Sequence, residues 1–209
     1  MDEAVRGARN FKQESRRAFD MQAATYDKEM QGSHARTLYP FVLDELANIA
    51  PKRVLDMGCG TGALSERVLE ALPACELFGI DLSEEMLARA RNRLGDRAQV
   101  RVGDCEHLPF SDASFDAIVC NDSFHHYPDP ERAAFEAWRV LVPGGLLVVG
   151  DCWLPQPGRA LMNAFLPYGN SGDVRIYSAK EMRALFEKWF GTVEWKRVGF
   201  GSCVVKAVK

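Results

Sequence analysis

The sequence predicts an α/β protein built on a doubly wound, largely parallel sheet with helices on both faces. The main observation is that short apolar runs alternate with segments of helical spacing between residues 51 and 150. A second is that residues 146–150 are almost entirely apolar, as expected of a strand buried on both faces. A third is the glycine-rich loop at residues 58–62, which follows one apolar run and precedes a helical pattern.

That loop follows a predicted strand that ends at Asp56, and it carries Gly58, Gly60 and Gly62 at alternate positions. Glycine permits positive φ angles and lets a ligand approach the main chain without meeting a Cβ atom. The N–H groups at the start of the following helix supply hydrogen-bond donors. We therefore expect the loop to hold a small polar molecule against the carboxyl end of the strand.

Two helices are expected before the first strand. Residues 10–30 have an irregular amphipathic pattern and would fold over the core, whereas a second helix is predicted from about residue 35 to 49. Gly32 and Ser33 are expected to separate them. The apolar positions of the second helix fall on one face: Leu38, Phe41, Val42, Leu46 and Ile49.

The remaining elements of the alternating region follow from the same patterns. Ser83 and Asp129 are predicted helix N-caps, and Pro143-Gly144-Gly145 is expected to end the second of these helices before the next strand. The predicted strands are 77–81, 100–102, 115–120 and 146–150, and the predicted helices begin near residues 63, 84 and 130.

The last quarter of the chain divides into an irregular part and a regular part. Residues 153–177 are rich in proline and glycine, and a stretch this long and irregular is expected to act as a lid. A capping box at residues 178–181 predicts a helix to about residue 190. Strands at 192–198 and 202–208 are separated by three residues, so we expect an antiparallel hairpin at the sheet edge.

Composition excludes several classes of protein. The 209 residues favour one domain, and a net charge of −3 gives no support for binding nucleic acid. No apolar stretch is long enough to span a bilayer, and residues 1–6 carry no apolar signal core, so a cytoplasmic location is expected. The six cysteines contain no C-x-x-C pair, which favours buried free thiols over disulfides or a zinc site.

Polar residues follow four consecutive predicted strands. They are Asp56, Asp81, Asp104 and Asn121. Ligands of open α/β sheets bind outside the carboxyl ends of the strands, and Asp81 lies 23 residues after Gly58, near the spacing at which a carboxylate meets ribose hydroxyls. A single aspartate there would often be only a turn or helix cap, but four beside a glycine loop indicate a binding site.

Residues 35–150 resemble the class I S-adenosylmethionine-dependent methyltransferases, and especially the branch that includes the ubiquinone and menaquinone biosynthesis enzymes. The matching motifs are residues 54–62, 79–83, 103–110, 114–126 and 139–145. The resemblance implies a Rossmann-like, doubly wound seven-stranded sheet of order 3-2-1-4-5-7-6 with the last strand antiparallel, and the terminal hairpin fits it. It predicts two regions: an N-terminal helical cover at 1–34 and a methyltransferase domain at 35–209, with 153–177 as its lid.

The resemblance also implies that S-adenosylmethionine is the cofactor and that S-adenosylhomocysteine is the product formed from it. Gly58, Cys59 and Gly60 would line the methionine portion, with Asp56 beneath them. Asp81 would accept from both ribose hydroxyls, and Leu82 would pack on the adenine. Asp104 would accept from the adenine amino group, and Asn121 would place its carbonyl near the methionine ammonium. The full predicted cofactor set is Asp56, Gly58, Cys59, Gly60, Asp81, Leu82, Asp104, Cys105 and Asn121.

Two other functions fit the loop. A nicotinamide or flavin dinucleotide would require G-x-G-x-x-G, and here Ala63 occupies the position of the third glycine, where alanine is tolerated. The motif around Asp104 and the terminal hairpin favour the methyltransferase instead. A non-catalytic module that binds S-adenosylmethionine is the other alternative.

The methyl acceptor is expected to be a small molecule, because the chain lacks a basic stripe and has Asn121-Asp122-Ser123-Phe124 where DNA amino-methyltransferases carry a polar-Pro-Pro-aromatic motif. His125 and His126 are the candidate catalytic bases, with a helix-start or packing role as the alternative. Metal ligands are not predicted, and the oligomeric state is left open. His34 and Tyr26 are further candidate bases from the N-terminal cover. Six aromatic residues would either line an acceptor pocket or only hold the lid to the sheet: Tyr26, Phe124, Trp153, Phe165, Tyr168 and Tyr177.

Overall fold

Seven strands form one mixed sheet in the computed structural model, which describes residues 10–169 and 171–209. Residues 1–9 of the predicted N-terminal cover and residue 170 of the predicted lid lie outside the described residues. The strands are β1 (Arg53–Met57), β2 (Glu76–Asp81), β3 (Ala98–Val102), β4 (Phe115–Asn121), β5 (Leu141–Cys152), β6 (Thr192–Val198) and β7 (Ser202–Val208).

The strand order is β3-β2-β1-β4-β5-β7-β6, which confirms the predicted topology. β1 to β5 pair in parallel, and β7 pairs antiparallel with both β5 and β6. The order reverses between β1 and β4, so the carboxyl ends of these two strands frame the crevice where ligands bind in such sheets.

Helices cover both faces of the sheet. Ser83, Asp129 and Ser178 cap three of them with their side chains, and the predicted capping box between Ser178 and Glu181 is confirmed. Within the residues that the structure describes, the α-helices are α1 (Phe11–Gln22), α2 (Met30–Ala47), α3 (Ala63–Ala71), α4 (Glu84–Leu94), α5 (Pro130–Val140), α6 (Gly158–Phe165) and α7 (Ala179–Phe186).

The core has two parts, one on each face of the sheet, and β4 contributes to both. Ile118 and Cys120 pack toward α5 and α7, whereas Ala117 and Val119 pack toward α2, α3 and α4. All four residues are at most 1% exposed. Because both faces of the strand are buried, its sequence is a continuous apolar run. The six cysteines are all free, and five of them are buried.

The predicted start of α2 is wrong. The helix begins at Met30 and passes through Gly32 and Ser33 without a break. A Cβ atom on Gly32 would lie 2.2 Å from the main-chain oxygen of Tyr26, so glycine permits the helix to pack closely against the preceding turn. Phe41, predicted on the buried face, is 39% exposed. Ile49 lies beyond the helix and is also exposed.

The role predicted for Pro143-Gly144-Gly145 is also wrong. These residues lie within β5, which begins directly after α5, instead of forming a loop before the strand. The register passes from Phe115 opposite Leu141 to Ala117 opposite Leu146, so the three residues form an irregularity inside the ladder. Main-chain hydrogen bonds to Lys209 tie Gly144 and Gly145 to the end of the chain.

The segment predicted to be irregular contains a helix, α6, and a following short turn at Leu166–Tyr168. Its apolar residues are largely exposed to solvent: Leu161, Met162, Phe165 and Tyr168. None of the helices in the described ranges is long and apolar enough to cross a membrane.

Candidate functional site

A first cavity opens at the carboxyl ends of β1, β2 and β4, where the topology places the crevice. It is roofed by α1, which contributes Lys12, Ser15, Arg16 and Phe19. Its remaining lining residues are Tyr26, Gly58, Gly60, Asp81, Leu82, Met86, Asp104, Cys105, Glu106, Asn121, Asp122, Ser123, His126, Tyr127 and Pro128.

The glycine loop forms the floor of this cavity. The N–H groups of Gly58 and Cys59 both donate to the carbonyl of Ile80 at 2.9 Å, which ties the loop to the end of β2. Gly58 has φ +75°, and an added Cβ atom would lie 2.1 Å from the Ser123 hydroxyl. At Gly60 an added Cβ would meet no atom within 4 Å, so the cavity is open beside this residue.

Asp81 presents a carboxylate at the end of β2. It accepts hydrogen bonds of 2.9 Å from the N–H groups of Gly60 and Ser83. Burial raises its pKa, and these donors oppose that shift. The carboxylate is thus fixed by the main chain while its residue remains on the cavity wall.

Two members of the predicted cofactor set do not line the cavity: Asp56, which was predicted beneath the loop, and Cys59, which was predicted to face the methionine portion. Asp56 is 2% exposed and accepts a 2.6 Å hydrogen bond from Ser65. Burial raises its pKa to about 7 despite that bond. Cys59 is buried with its sulfur against Gly79, so both residues support the loop from beneath.

Asp104 lies at the other end of the cavity under α1. Lys12 donates to its carboxylate at 2.7 Å and also contacts Glu106. Burial acts to raise the pKa of Asp104, but the ion pair with Lys12 and the hydrogen bonds from the Glu106 N–H and His107 together outweigh it, and the net shift is downward. Asp20 of α1 accepts a hydrogen bond from Ser83 at 2.6 Å, so α1 is attached to two of the strand ends.

A second cavity adjoins the first and shares Phe19, Tyr26, Asp122 and His126 with it. Its wall combines apolar side chains with imidazole and carboxylate groups. The other lining residues are Ala18, Gln22, Met30, His34, His125, Cys152, Leu154, Ser171, Asp173, Ile176 and Gly201.

The two predicted catalytic histidines stand on this wall in different environments. Asp151 accepts from His125 twice, from the ring Nδ1 at 2.6 Å and from the main-chain N–H at 2.9 Å. Burial opposes the charge of His125, but Asp151 holds its pKa well above the usual value. Burial and the neighbouring His125 lower the pKa of His126 to about 4, and the Phe19 ring packs edge-on against it.

Asp173 joins this pair from the segment between α6 and α7. Its Oδ1 lies 3.4 Å from Nε2 of His125 and 3.3 Å from Nδ1 of His126. The main-chain N–H groups of Val174 and Arg175 donate to the carbonyl of His125. The predicted lid is therefore attached to the histidine pair by both side-chain and main-chain contacts.

A second histidine–carboxylate pair faces the same cavity. His34 of α2 contacts Asp122 through Nδ1 at 2.8 Å and the Ser202 hydroxyl through Nε2 at 2.9 Å. Asp122 has φ +54°, a conformation that is uncommon outside glycine. Asn121, one residue earlier, donates its side-chain amide to the carbonyl of Ala35 and so also fastens α2 to β4.

Most of the aromatic residues for which the sequence leaves pocket lining and lid packing both open do not line either cavity. Phe165 and Tyr168 are exposed, Trp153 packs against Trp195, and Tyr177 packs on Phe124. Of the six aromatic residues considered, only Tyr26 lines either cavity. Sequence reasoning gave no site role to Lys12, Asp151 or Asp173, although Asp151 follows a predicted strand as Asp56 and Asp81 do.

Comparisons with known proteins agree with this geometry. A family profile described as "Methyltransferase domain" matches residues 55–149. The malonyl-[acyl-carrier protein] O-methyltransferase of Geobacter sulfurreducens is 33% identical over 190 residues, covering 86% of this chain and 70% of the relative. The chain belongs to the class I S-adenosylmethionine-dependent methyltransferase family.

Within this family, the demethylmenaquinone methyltransferase of Thermus thermophilus is 44% identical over 141 residues, covering 60% of this chain and 64% of the relative. An S-adenosylmethionine-dependent methyltransferase structure from Thermotoga maritima has a TM-score of 0.72 at 23% identity, covering 92% of this chain and 99% of that one, which confirms the Rossmann-like fold. The chain spans 48% and 64% of the length of two demethylmenaquinone methyltransferases that it matches.

Proposed function

We propose that this chain transfers a methyl group from S-adenosylmethionine to a small-molecule acceptor, with the cofactor in the first cavity and the acceptor in the second. The observation that carries the proposal is that the two cavities meet at Phe19, Tyr26, Asp122 and His126. Methyl transfer from a sulfonium requires the two reactants in line and shielded from water. Adjoining cavities under one helical roof meet both requirements.

The polar groups that line the first cavity are complementary to the hydrogen-bonding groups of S-adenosylmethionine. Space is open beside Gly60, and Asp81 and Asp104 place one carboxylate at the end of β2 and another just beyond β3. We assign Asp81 to the ribose hydroxyls and Asp104 to the adenine amino group, with Leu82 and Cys105 against the ring. Gly58, Gly60 and Asn121 would hold the methionine end; Asp56 and Cys59 would support the loop from below. When bound, the cofactor supplies an electrophilic methyl group.

The second cavity fits an acceptor with an apolar body and one polar nucleophilic group. Leu154 and Ile176 supply apolar wall, while His125 and His126 supply imidazoles beside the junction of the cavities. We propose that these two histidines lie beside the acceptor's reacting group and promote its loss of a proton. Relatives named for demethylmenaquinone and for a malonyl carrier protein act on unlike acceptors, so the acceptor is proposed only by this chemistry. A cytoplasmic location remains a prediction from the sequence.

Calorimetric titration tests the cofactor first. S-adenosylmethionine and, separately, NADH are titrated into the wild-type protein, Asp81→Ala and Asp112→Ala; the last is a matched control, because Asp112 is an exposed carboxylate with 78% of its side chain accessible. We expect S-adenosylmethionine to bind the wild type and the control equally. Asp81→Ala should bind it at least about 100-fold more weakly, because hydrogen bonds to a charged group contribute roughly 1.5–3 kcal/mol each.

Other outcomes select the alternatives. NADH binding without a response to S-adenosylmethionine would support a dinucleotide oxidoreductase and overturn the proposal. S-adenosylmethionine binding without methyl transfer to any of a broad acceptor panel, measured as S-adenosylhomocysteine formation, would favour a non-catalytic module.

A further inference from the structure

We propose that His125, His126 and Asp173 form a binding site for a divalent first-row transition metal on the wall of the second cavity. One potential ligand atom of each residue, an imidazole nitrogen or a carboxylate oxygen, lies within 4.8 Å of the other two. Two imidazoles and one carboxylate are a donor set that zinc and iron sites use, with the remaining coordination positions open. The site brings together two adjacent residues of a short turn and one residue from the segment before α7.

The spacing fits a shared metal ion better than direct hydrogen bonds. Asp173 Oδ1 is 3.4 Å from His125 Nε2 and 3.3 Å from His126 Nδ1. N–H···O hydrogen bonds usually measure about 2.7–3.2 Å, so both separations are long. Zinc–nitrogen and zinc–oxygen bonds of about 2.0–2.1 Å in tetrahedral geometry place neighbouring ligand atoms roughly 3.3–3.4 Å apart.

The orientation of each histidine supports the same conclusion. His125 uses Nδ1 to contact Asp151, which accepts at 2.6 Å and leaves Nε2 directed toward Asp173. Metal-bound histidines commonly donate their second nitrogen to a carboxylate in this way. His126 is buried, and its Nδ1 has no hydrogen-bond partner in the structure. A buried polar atom without a partner is costly, and a metal ion would satisfy it.

The location gives the ion a chemical role that rests on the proposed function. The three residues line the second cavity, so an acceptor hydroxyl could occupy an open coordination position. Coordination lowers the pKa of a bound hydroxyl. Its proton leaves to solvent, the oxygen forms a bond to the methyl carbon, and the S–CH₃ electron pair stays on sulfur, converting the sulfonium to a neutral thioether. The class of acceptor expected is therefore an alcohol, phenol or enol.

Metal binding is measured without any acceptor. Purified protein is stripped with a chelator, dialysed against Zn²⁺, and analysed by plasma mass spectrometry, with affinity obtained by chelator competition. We expect one Zn²⁺ per wild-type chain. Asp173→Ala should weaken binding by more than the roughly 10–100-fold that loss of an outer-shell partner costs, and Asp151→Asn should weaken it within that range. His107→Ala is the matched control, since His107 is an exposed histidine 3.5 Å from a carboxylate, and it should retain full binding.

Three results would overturn the proposal: no stoichiometric Zn²⁺ in the wild type, unchanged affinity in Asp173→Ala, or loss of binding in His107→Ala. Asp173 is partly exposed, so its substitution is compatible with folding, and retained S-adenosylmethionine affinity in Asp173→Ala verifies that the variant is intact. If S-adenosylmethionine fails to bind the wild type while Zn²⁺ binds, the proposed function falls and the metal site stands. If S-adenosylmethionine binds the wild type while Zn²⁺ does not, the metal site is overturned and the proposed function stands.

Discussion

The two cavities differ in how the chain builds them. The first is made largely by main-chain loops at the ends of strands that are consecutive in the sequence, and its key groups lie between Gly58 and Asp122. The second is made by side chains from segments that are far apart, from His34 in α2 to Asp173 before α7. One cavity follows from the topology of the sheet; the other depends on how α1, α2 and the segment after β5 pack over it.

This difference separates what is general in the site from what is particular to this chain. Parallel strands bring their carboxyl ends to one edge, so polar residues that follow them converge whatever covers the sheet. The topology of the sheet does not determine how the cover, formed by α1, α2 and the segment after β5, packs over it. The cover in turn determines the shape and charge of the second cavity. We therefore expect substitutions in the glycine loop to affect the stability of the whole fold, and substitutions in the cover to affect mainly ligand binding.

The largest expected effect is that of Gly58→Ala, compared with Gly60→Ala in the same loop. Both residues have positive φ, which costs a residue with a Cβ about 1–2 kcal/mol. At Gly58 the new atom would also collide with Ser123, and such overpacking costs roughly 1–3 kcal/mol more. Urea unfolding should show a loss of about 2–5 kcal/mol for Gly58→Ala and about 1–2 kcal/mol for Gly60→Ala.

Titration of S-adenosylmethionine completes that comparison. The Cβ of Gly60→Ala would enter open space in the cavity, so this variant should lose affinity although its fold is less affected. Equal stability of the two variants would contradict the assignment of Gly58 as the structural glycine and Gly60 as the ligand-facing one.

The sequence predicted the first cavity far better than the second, for physical reasons. Asp81 and Gly60 belong to local motifs whose spacing is fixed by a strand, a turn and a helix. Asp173 lies alone in a glycine- and proline-rich stretch, and only tertiary packing brings it to His125, 48 residues earlier in the sequence. Asp151 did carry a signal, because it follows the same kind of apolar run as Asp56 and Asp81.

The errors in the fold have a related cause. Gly32 reads as a helix breaker, but its lack of a side chain serves a close approach between α2 and Tyr26. Pro143-Gly144-Gly145 reads as a loop, but the end of the chain supplies the hydrogen bonds that keep Gly144 and Gly145 in the sheet. In both cases a contact outside the element itself, with Tyr26 in one and Lys209 in the other, overrides the local preference.

A second prediction concerns the support beneath the first cavity. Asp56 has a pKa of about 7 in the folded protein, above that of an unfolded aspartate, because it is buried. The contribution of Asp56 to the free energy of unfolding is therefore greatest below about pH 4. It falls as the pH rises toward and through about 7. Asp56→Asn removes that charge, so its free energy of unfolding should exceed the wild-type value by about 1–3 kcal/mol at pH 8.

The excess should shrink as the pH is lowered toward 4, since both proteins then have a neutral side chain at this position in the folded state. Urea unfolding at pH 5 and pH 8, without ligand, measures the difference, and Asp96→Asn provides an exposed control whose stability should track the wild type. If Asp56→Asn is less stable than the wild type at pH 8, the charged carboxylate stabilises the loop and the inferred direction is wrong.

The smallest expected effect tests the roof that the two cavities share. Lys12 of α1 holds Asp104, the carboxylate assigned to the adenine amino group, and also contacts buried Glu106. Cofactor binding must then break or rearrange the ion pair, which lowers the apparent affinity. In Lys12→Met that competition is gone, and we expect S-adenosylmethionine to bind about two- to tenfold more tightly.

Arg17→Met also replaces a cationic residue of α1 by methionine, but at an exposed position, and it should leave the affinity unchanged. Hydrogen exchange of α1 should become faster in Lys12→Met alone, because a partly exposed ion pair contributes up to about 1 kcal/mol to holding the helix. Weaker binding in Lys12→Met would mean that Lys12 contacts the bound cofactor and that α1 is part of the cofactor site itself. The first cavity would then depend on the cover as much as the second does, and the contrast between them would have to be abandoned.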